Sequence, residues 1–349
     1  MRELVFSARK KYANLLQEKC SDQLLEIYAK SDLPSNLFMN LGRDSFSGIA
    51  LNHYLTRASE ESLGILFSKI EIPETIEKFL KKFHSRKTLQ TTKVMAIANA
   101  TPDSFFPGSR IDRNLELLQK IIEASPDIID VGGESTRPGS EEMGISEETE
   151  RLRPVIEYLE KNSNIPISLD TRHHEVLEEF GTSISYINDI TGFVNPEMIK
   201  SASNHQLKCI TMHMRGEPKN MQTKTDYTDV FPEVLAFLVD SAERLENGGI
   251  RPEDIFLDPG VGFSKDLSGN LDLIRDASSF NIGYGTLFGT SRKSFLGNIT
   301  GNDVGERLSA TLATTAYLAM EGTDIIRVHD VKENSDVIKV IKRIMKKET

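Results

Sequence analysis

Cysteine, long apolar runs and surplus positive charge are all scarce in this sequence. Two cysteines among 349 residues, Cys20 and Cys209, can form neither a disulfide framework nor a four-ligand zinc site, which points to a reducing compartment. No stretch approaches the ~18 apolar residues of a membrane span. The opening Met1–Phe6 meets Arg9, Lys10 and Lys11 too soon to hold the apolar region of a signal peptide. A cytoplasmic protein with no membrane partner is expected. Lys and Arg number 42 against 52 Asp and Glu, a net charge of −10, which argues against a nucleic-acid partner. An anionic substrate is still allowed, because a few local cations or a metal can dominate one site. The 38% hydrophobic share is enough for a packed core and excludes a mainly disordered chain.

The charge is unevenly placed. Residues 1–90 carry 14 Lys and Arg and 11 Asp and Glu, leaving 28 and 41 for the rest. This front part shows a broken 3.6-residue apolar pattern through Val5, Leu15, Leu16, Leu24, Leu25 and Ile27, and again from Ser62 to Phe83. The polar stretch from His84 to Thr92 lacks periodicity and reads as a linker. Residues 1–90 are therefore expected to form a small helical accessory region of unknown role, and residues 91–349 a separate domain.

Beyond the linker the pattern changes. Short apolar runs recur at 94–98, 128–131, 166–169, 185–187, 207–210, 255–257, 285–288 and 325–328, separated by helical patterns such as 114–124, 147–161, 230–247 and 306–321. Strand–helix alternation implies a parallel sheet, and eight repeats imply a closed (β/α)8 TIM barrel. An open doubly wound sheet is the competing arrangement, weakened because no Gly-x-Gly-x-x-Gly follows the first strand.

Polar residues gather at the ends of these runs. Asn99, Glu134 to Arg137, Asp170, Asn188 with Asp189, Met212 with His213, Asp258, Ser291 to Lys293, and Arg327 with His329 each follow a predicted strand. In a barrel all eight C-terminal strand ends open on one face, so these groups are expected to share a site. Asn99 offers a neutral oxygen suited to Mg2+. In the Gly132–Gly139 loop, glycines let backbone approach a ligand, Arg137 supplies a cationic fork and Pro138 stiffens the chain. Asp170, Asn188 and Asp258 can read the donor and acceptor edge of a flat heterocycle, although each alone is equally suited to capping a helix. Met212 can face a flat ring or pack the core. Arg327 and His329 lie two apart and project to one side of a continuing strand, where loops after strands 7 and 8 commonly bind phosphate. Surface pairing of Arg327 with Asp330 is the plainer alternative. Ser291 has no evident activating His and Asp, and His173-His174 has no metal-ligand spacing and is expected to top the next helix.

The strings Asn-Ala-Thr-Pro-Asp-Ser-Phe at 99–105, Asp-Val-Gly-Gly-Glu-Ser-Thr-Arg-Pro-Gly at 130–139, Ser-Leu-Asp-Thr at 168–171, Ile-Asn-Asp-Ile at 187–190, Met-His-Met-Arg-Gly at 212–216, Leu-Asp-Pro-Gly at 257–260, Ser-Arg-Lys-Ser at 291–294 and Ile-Arg-Val-His-Asp-Val at 326–331 resemble the dihydropteroate synthases. They fall in the family's order over residues 93–345. The resemblance implies condensation of 6-hydroxymethyl-7,8-dihydropterin diphosphate with 4-aminobenzoate, releasing pyrophosphate and giving 7,8-dihydropteroate, with Mg2+ as cofactor and a homodimer as the assembly. It implies a pterin pocket of Asp170, Asn188, Met212, Asp258 and Lys293, and a diphosphate site of Asn99, Arg327 and His329, with Asn99 also on the metal. Thr136, Arg137, Pro138, Phe263 and Ser291 would form the aminobenzoate wall, where sulfonamides compete. Asp103, Lys293, Arg327 and His329 would be catalytic, with Asp103 on a loop that closes over the site and Lys265 a lesser candidate. Phe106-Pro107-Gly108-Ser109 stands where Ser-Asp-Gly-Gly is usual, and Val261 and Ser264 replace frequent Phe and Gly. A pterin-binding methyltransferase and a non-catalytic pterin-binding scaffold are the competing functions. The division of labour further predicts that Arg327 can be removed without disturbing free pterin.

Overall fold

The computed structural model describes residues 92–100, 111–134, 143–228, 230–281 and 283–345. The expectations for residues 1–90 lie outside them, as do Asp103, Thr136, Arg137, Pro138 and the unusual 106–109 segment. The chain divides into two units, and the barrel lies wholly in the one formed by residues 89–277 and 284–349. No helix among the described residues is long and apolar enough to cross a membrane.

Strands β1 (Lys93–Asn99), β2 (Ile128–Gly132), β3 (Ile167–Asp170), β4 (Tyr186–Asp189), β5 (Lys208–Met212), β6 (Ile255–Asp258), β7 (Gly285–Phe288) and β8 (Ile325–Val328) form a closed barrel in chain order. Every neighbouring pair is parallel, and β8 returns to β1. Closure removes the sheet edges that an open doubly wound sheet would leave. Helices α1 (Ile111–Glu123), α2 (Ile145–Asn162), α3 (His174–Phe180), α4 (Pro196–Asn204), α5 (Val230–Asn247), α6 (Leu267–Arg275), α7 (Ser294–Thr300), α8 (Leu308–Met320) and α9 (Val331–Met345) fill the connections.

The helical faces follow the apolar period. On α2, Leu152, Val155, Ile156 and Leu159 are buried at i, i+3, i+4 and i+7. Pro154 sits inside this helix on its exposed side. Solvent can therefore serve the Glu150 carbonyl that loses its usual N–H partner. Local caps fix other starts: Asn195 accepts the Glu197 N–H ahead of α4, and Asp266 accepts the Gly269 N–H ahead of α6. His173 flanks α3, as the sequence indicates.

Alternation along the strands positions the site. Met95, Ile128, Tyr186, Ile210, Leu287 and Ile325 form one buried cluster with Phe256 against it, plugging the barrel interior. Two residues further along each strand, on the same face, stand Ile97, Asp130, Asn188, Met212, Asp258, Gly289 and Arg327. The apolar plug thus supports the polar layer directly above it.

Candidate active site

Most of the predicted strand-end residues are the last members of their strands rather than the first of the loops. Asn99, Asp170, Met212 and Asp258 each close a strand, and the parallel register pairs Asn99 with Gly132, Gly132 with Asp170, and Asp170 with Asn188. Four neighbouring strands therefore present one row across the mouth. Gly132 keeps that row open: a Cβ there would sit 3.4 Å from both Asn99 Oδ1 and Asp170 Cβ, in van der Waals contact with each and filling the space between them. Across the barrel, Met212 on β5 is in register with Asp258 on β6.

The row holds a buried charge cluster. Arg327 Nε donates to Asp130 Oδ2 at 2.5 Å, and its Nη2 donates to Asp170 Oδ2 at 2.8 Å. Asn188 Nδ2 donates to the same Asp130 oxygen at 3.3 Å. Burial pushes the Asp170 carboxyl up to about 7, with Arg327 opposing the rise and Asp130 adding to it. The plainer reading of Arg327 fails here, since Asp330 is taken by Arg292, which forks onto both its oxygens at 2.8 and 2.7 Å. That fork ties the loop after β7 to the loop after β8. One guanidinium thus touches the carboxylate expected to read the pterin, which joins the expected pterin and diphosphate groups through a single contact.

On the other side, Lys293 Nζ donates to the Val261 carbonyl and lies 4.5 Å from the centre of the Phe263 ring. Burial lowers the Lys293 ammonium to about 8 against the pull of Asp258. Burial likewise raises Asp258, opposed first by Lys293, while the Gly260 N–H donates to its Oδ1 at 2.8 Å. The 260–265 loop needs its glycines. Gly260 has φ +66 with the His213 carbonyl 2.1 Å from any Cβ, and Gly262 has φ +85 with Lys293 Cδ at 2.8 Å.

Ser291 and His329 hold each other. The Ser291 hydroxyl lies 3.0 Å from His329 Nδ1 and accepts the His329 backbone N–H at 3.2 Å. The sequence offers no hint of this pairing, which brings the expected aminobenzoate wall against the expected diphosphate site. Ser291 is buried while His329 is exposed.

Lys265 is a brace. Its buried Nζ donates to the carbonyls of Gly260 at 3.0 Å, Phe263 at 2.8 Å and His213 at 3.3 Å, and meets His213 Nδ1 at 3.0 Å. Burial lowers its pKa, with Asp258 opposing, but four acceptors around one nitrogen are best served by the three donors of an ammonium. His213 is driven down to about 2 by burial and then by Lys265, so it accepts as a neutral ring. Lys265→Met should orphan several carbonyls at ~1–3 kcal/mol each. A fall in melting temperature of several degrees is the expected calorimetric result; an unchanged transition would discard the brace.

One other group escapes the sequence. Asp130 reads there as an ordinary strand residue, although a charge inside an apolar run on the same face as Gly132 was the available signal. Glu134, expected at the mouth from its place after β2, is held there by partners the sequence does not show: Arg172 donates to both its oxygens at 3.0 and 2.9 Å and the Met143 N–H donates to Oε1 at 3.1 Å.

Comparison with known proteins agrees with this geometry. Residues 95–329 match the protein family described as pterin binding enzyme. The dihydropteroate synthase of Escherichia coli (strain K12) is 40% identical over 253 residues, 71% of this chain and 90% of that protein. The structure of dihydropteroate synthase from Thermus thermophilus in complex with 4-aminobenzoate aligns at TM-score 0.66 and 34% identity, covering 73% of this chain and 95% of that one. That from Anaplasma phagocytophilum with bound 6-hydroxymethylpterin-monophosphate aligns at TM-score 0.67 and 29% identity, covering 73% and 100%. By this match and these relatives, the chain belongs to the dihydropteroate synthase family of pterin-binding enzymes.

Proposed function

We propose that the barrel mouth condenses 6-hydroxymethyl-7,8-dihydropterin diphosphate with 4-aminobenzoate, giving 7,8-dihydropteroate and pyrophosphate. One observation carries the reading: Asp170 and Asp258 end their strands and Asn188 stands in register with Asp170 one residue before the end of β4, with the cations Lys293 and Arg327 beside them. The curated relatives are synthases, so methyl transfer and a non-catalytic scaffold are set aside.

The bond between the pterin methylene and the diphosphate oxygen breaks, and its electron pair leaves with pyrophosphate. The arylamine nitrogen then forms the new C–N bond and gives up a proton to solvent. Asp170, Asn188 and Asp258 accept from the amino and ring N–H groups of the pterin, Lys293 donates to its ring acceptors, and Met212 packs on its face. Arg327 and His329 donate to the leaving diphosphate, where charge grows as the bond breaks. Phe263 and Ser291 wall the arylamine.

Among the described residues no group of three or more His, Cys, Asp or Glu can hold a metal. Asn99 offers a single neutral oxygen beside Gly132, which fits an ion that keeps its waters and shares substrate phosphate oxygens. Asn99 would therefore hold Mg2+, which when bound supplies positive charge to the leaving group.

The test uses the full chain with pterin diphosphate, 4-aminobenzoate and Mg2+. Pyrophosphate release that needs the arylamine and stops with chelator is expected, whereas folded protein giving none above background would sink the activity. A homodimer belongs to the same reading; light scattering should give twice the mass of one chain, and a single-chain mass would refute it.

The pH profile follows from two groups of opposite sign. Asp170 must be ionised to accept, which favours pH above about 7. Lys293 must be protonated to donate, which favours pH below about 8. Thus kcat/KM for pterin diphosphate should trace a narrow bell centred between those values. A flat profile from pH 6 to 9 would remove both groups from substrate recognition.

A further inference from the structure

Asp130 has no role in the reaction as drawn, yet it is the hub of the buried cluster. It is wholly buried on β2, where charge is costly unless paired. Its Oδ2 receives Arg327 Nε at 2.5 Å and Asn188 Nδ2 at 3.3 Å, while its Oδ1 has no hydrogen-bond partner. Arg327 commits its Nη2 to Asp170 at 2.8 Å. Two buried carboxyl groups thus share one guanidinium.

This arrangement conflicts with substrate binding unless something moves. On the reading above, Asp170 must turn its oxygens to the pterin N–H groups, and Arg327 must reach diphosphate oxygens. Both demands fall on the same Arg327–Asp170 contact. Releasing it leaves the guanidinium free to wander unless a second anchor holds it. Asp130 is that anchor, because it grips Nε, the donor closest to the side-chain stem, from a rigid strand rather than from a loop. Holding Nε fixes where the fork sits and leaves the Nη donors to change partners.

We propose that Asp130 is the positioning residue of Arg327: it keeps Nε while Nη2 passes from Asp170, in the free site, to the leaving diphosphate once the pterin has claimed Asp170. The exchange rests on the assignment of Asp170 to the pterin and Arg327 to the diphosphate. It makes a single guanidinium couple the two ends of one substrate, so that the diphosphate grip is fully formed when the pterin is seated. The same contact orients Asn188, whose own Oδ1 has no hydrogen-bond partner and is available to the pterin edge.

The test is a double-mutant cycle of Asp130→Asn and Arg327→Met, read as kcat/KM for pterin diphosphate. With Arg327 present, Asp130→Asn should cost ~10²-fold, the scale on which a misplaced group about 1 Å from its proper position loses rate. In the Arg327→Met background the same change should cost less than about 2-fold, because there is no guanidinium left to position. Equal losses in both backgrounds, accompanied by equal falls in melting temperature, would make Asp130 merely structural and overturn the proposal. Wild-type turnover in Arg327→Met alone would instead remove the leaving-group assignment, and the proposal with it. A second measurement does not depend on any variant folding: side-chain 15N spectra of Arg327 in the wild-type chain, titrated with free pterin and then with pyrophosphate. The Nε–H signal should stay protected from exchange throughout, while the Nη signals change. Loss of Nε protection on binding either ligand would overturn the pivot.

Discussion

Arg327→Met is expected to lower turnover by ~10²–10³-fold, the usual loss when one charged donor to a developing anion is removed. The loss should appear in kcat as well as in kcat/KM, because the interaction strengthens as charge builds on the departing oxygen. Free pterin should also suffer, contrary to the expectation from sequence. Arg327 is the group that favours ionised Asp170. Without it, Asp170 and Asp130 face each other in a buried layer with no cation between them, and the Asp170 carboxyl climbs further above about 7. At pH 7 it would then be protonated and would offer a donor to a pterin edge made of donors. Free-pterin affinity should therefore fall furthest below wild type at pH 7, and the deficit relative to wild type should narrow at pH 9, where the carboxylate returns and both proteins lose the Lys293 proton alike. Stability should move the opposite way. Stranding a buried charge costs ~3–5 kcal/mol, and ionisation of the unpaired carboxylates is demanded only as pH rises, so the melting temperature should drop more at pH 9 than at pH 5. Turnover equal to wild type would remove Arg327 from the leaving group. Free-pterin affinity unchanged at pH 7 would show that the Arg327–Asp170 contact has no bearing on the pterin.

The barrel was legible because each strand is a short apolar run and each connection carries a 3.6-residue period. Eight runs returned eight strands, with ends extended by a residue or two where a polar side chain closes the strand. Asn99, Asp170 and Asp258 were legible as strand ends at the barrel mouth for the same reason: a polar group capping an apolar run has few places to go in a closed barrel. What could not be read was who pairs with whom. Asp130 and Arg327 are 197 positions apart and meet only because closure brings β8 round towards β2. Asp330 lies three residues from Arg327 yet is captured by Arg292 from the neighbouring loop, so proximity along the chain suggested the wrong partner. Lys265 stands in the sequence only as a lesser site candidate, and the four acceptors gathered around its nitrogen are contacts a linear sequence cannot display.

Asp170→Asn tests the pterin edge with the least damage to the fold. The amide keeps the shape of the carboxylate but replaces one acceptor by a donor facing the donors of the pterin. Losing a hydrogen bond to a charged group and leaving a buried group unsatisfied costs ~1–3 kcal/mol, so free-pterin affinity should fall ~10–100-fold by calorimetry. Stability should hold. The wild-type cluster carries two carboxylates around one guanidinium, and the substitution leaves one of each, a neutral buried pair. The pH dependence separates this from a simple lost contact. In the folded chain Asp170 is raised to about 7, above its ordinary unfolded value near ~3.9. Ionising it therefore draws stability from the fold progressively as pH rises from ~4 to about 7, and that loss is complete above it. The Asn variant escapes this loss, so its melting temperature should equal or exceed wild type at pH 8 and converge with it towards pH 4. Unchanged pterin affinity would take Asp170 out of the pocket. A variant that melts well below wild type at pH 8 would show that the Arg327–Asp170 pair outweighs the cost of burying its charge, and with it the reason that Asp170 gives way to the pterin.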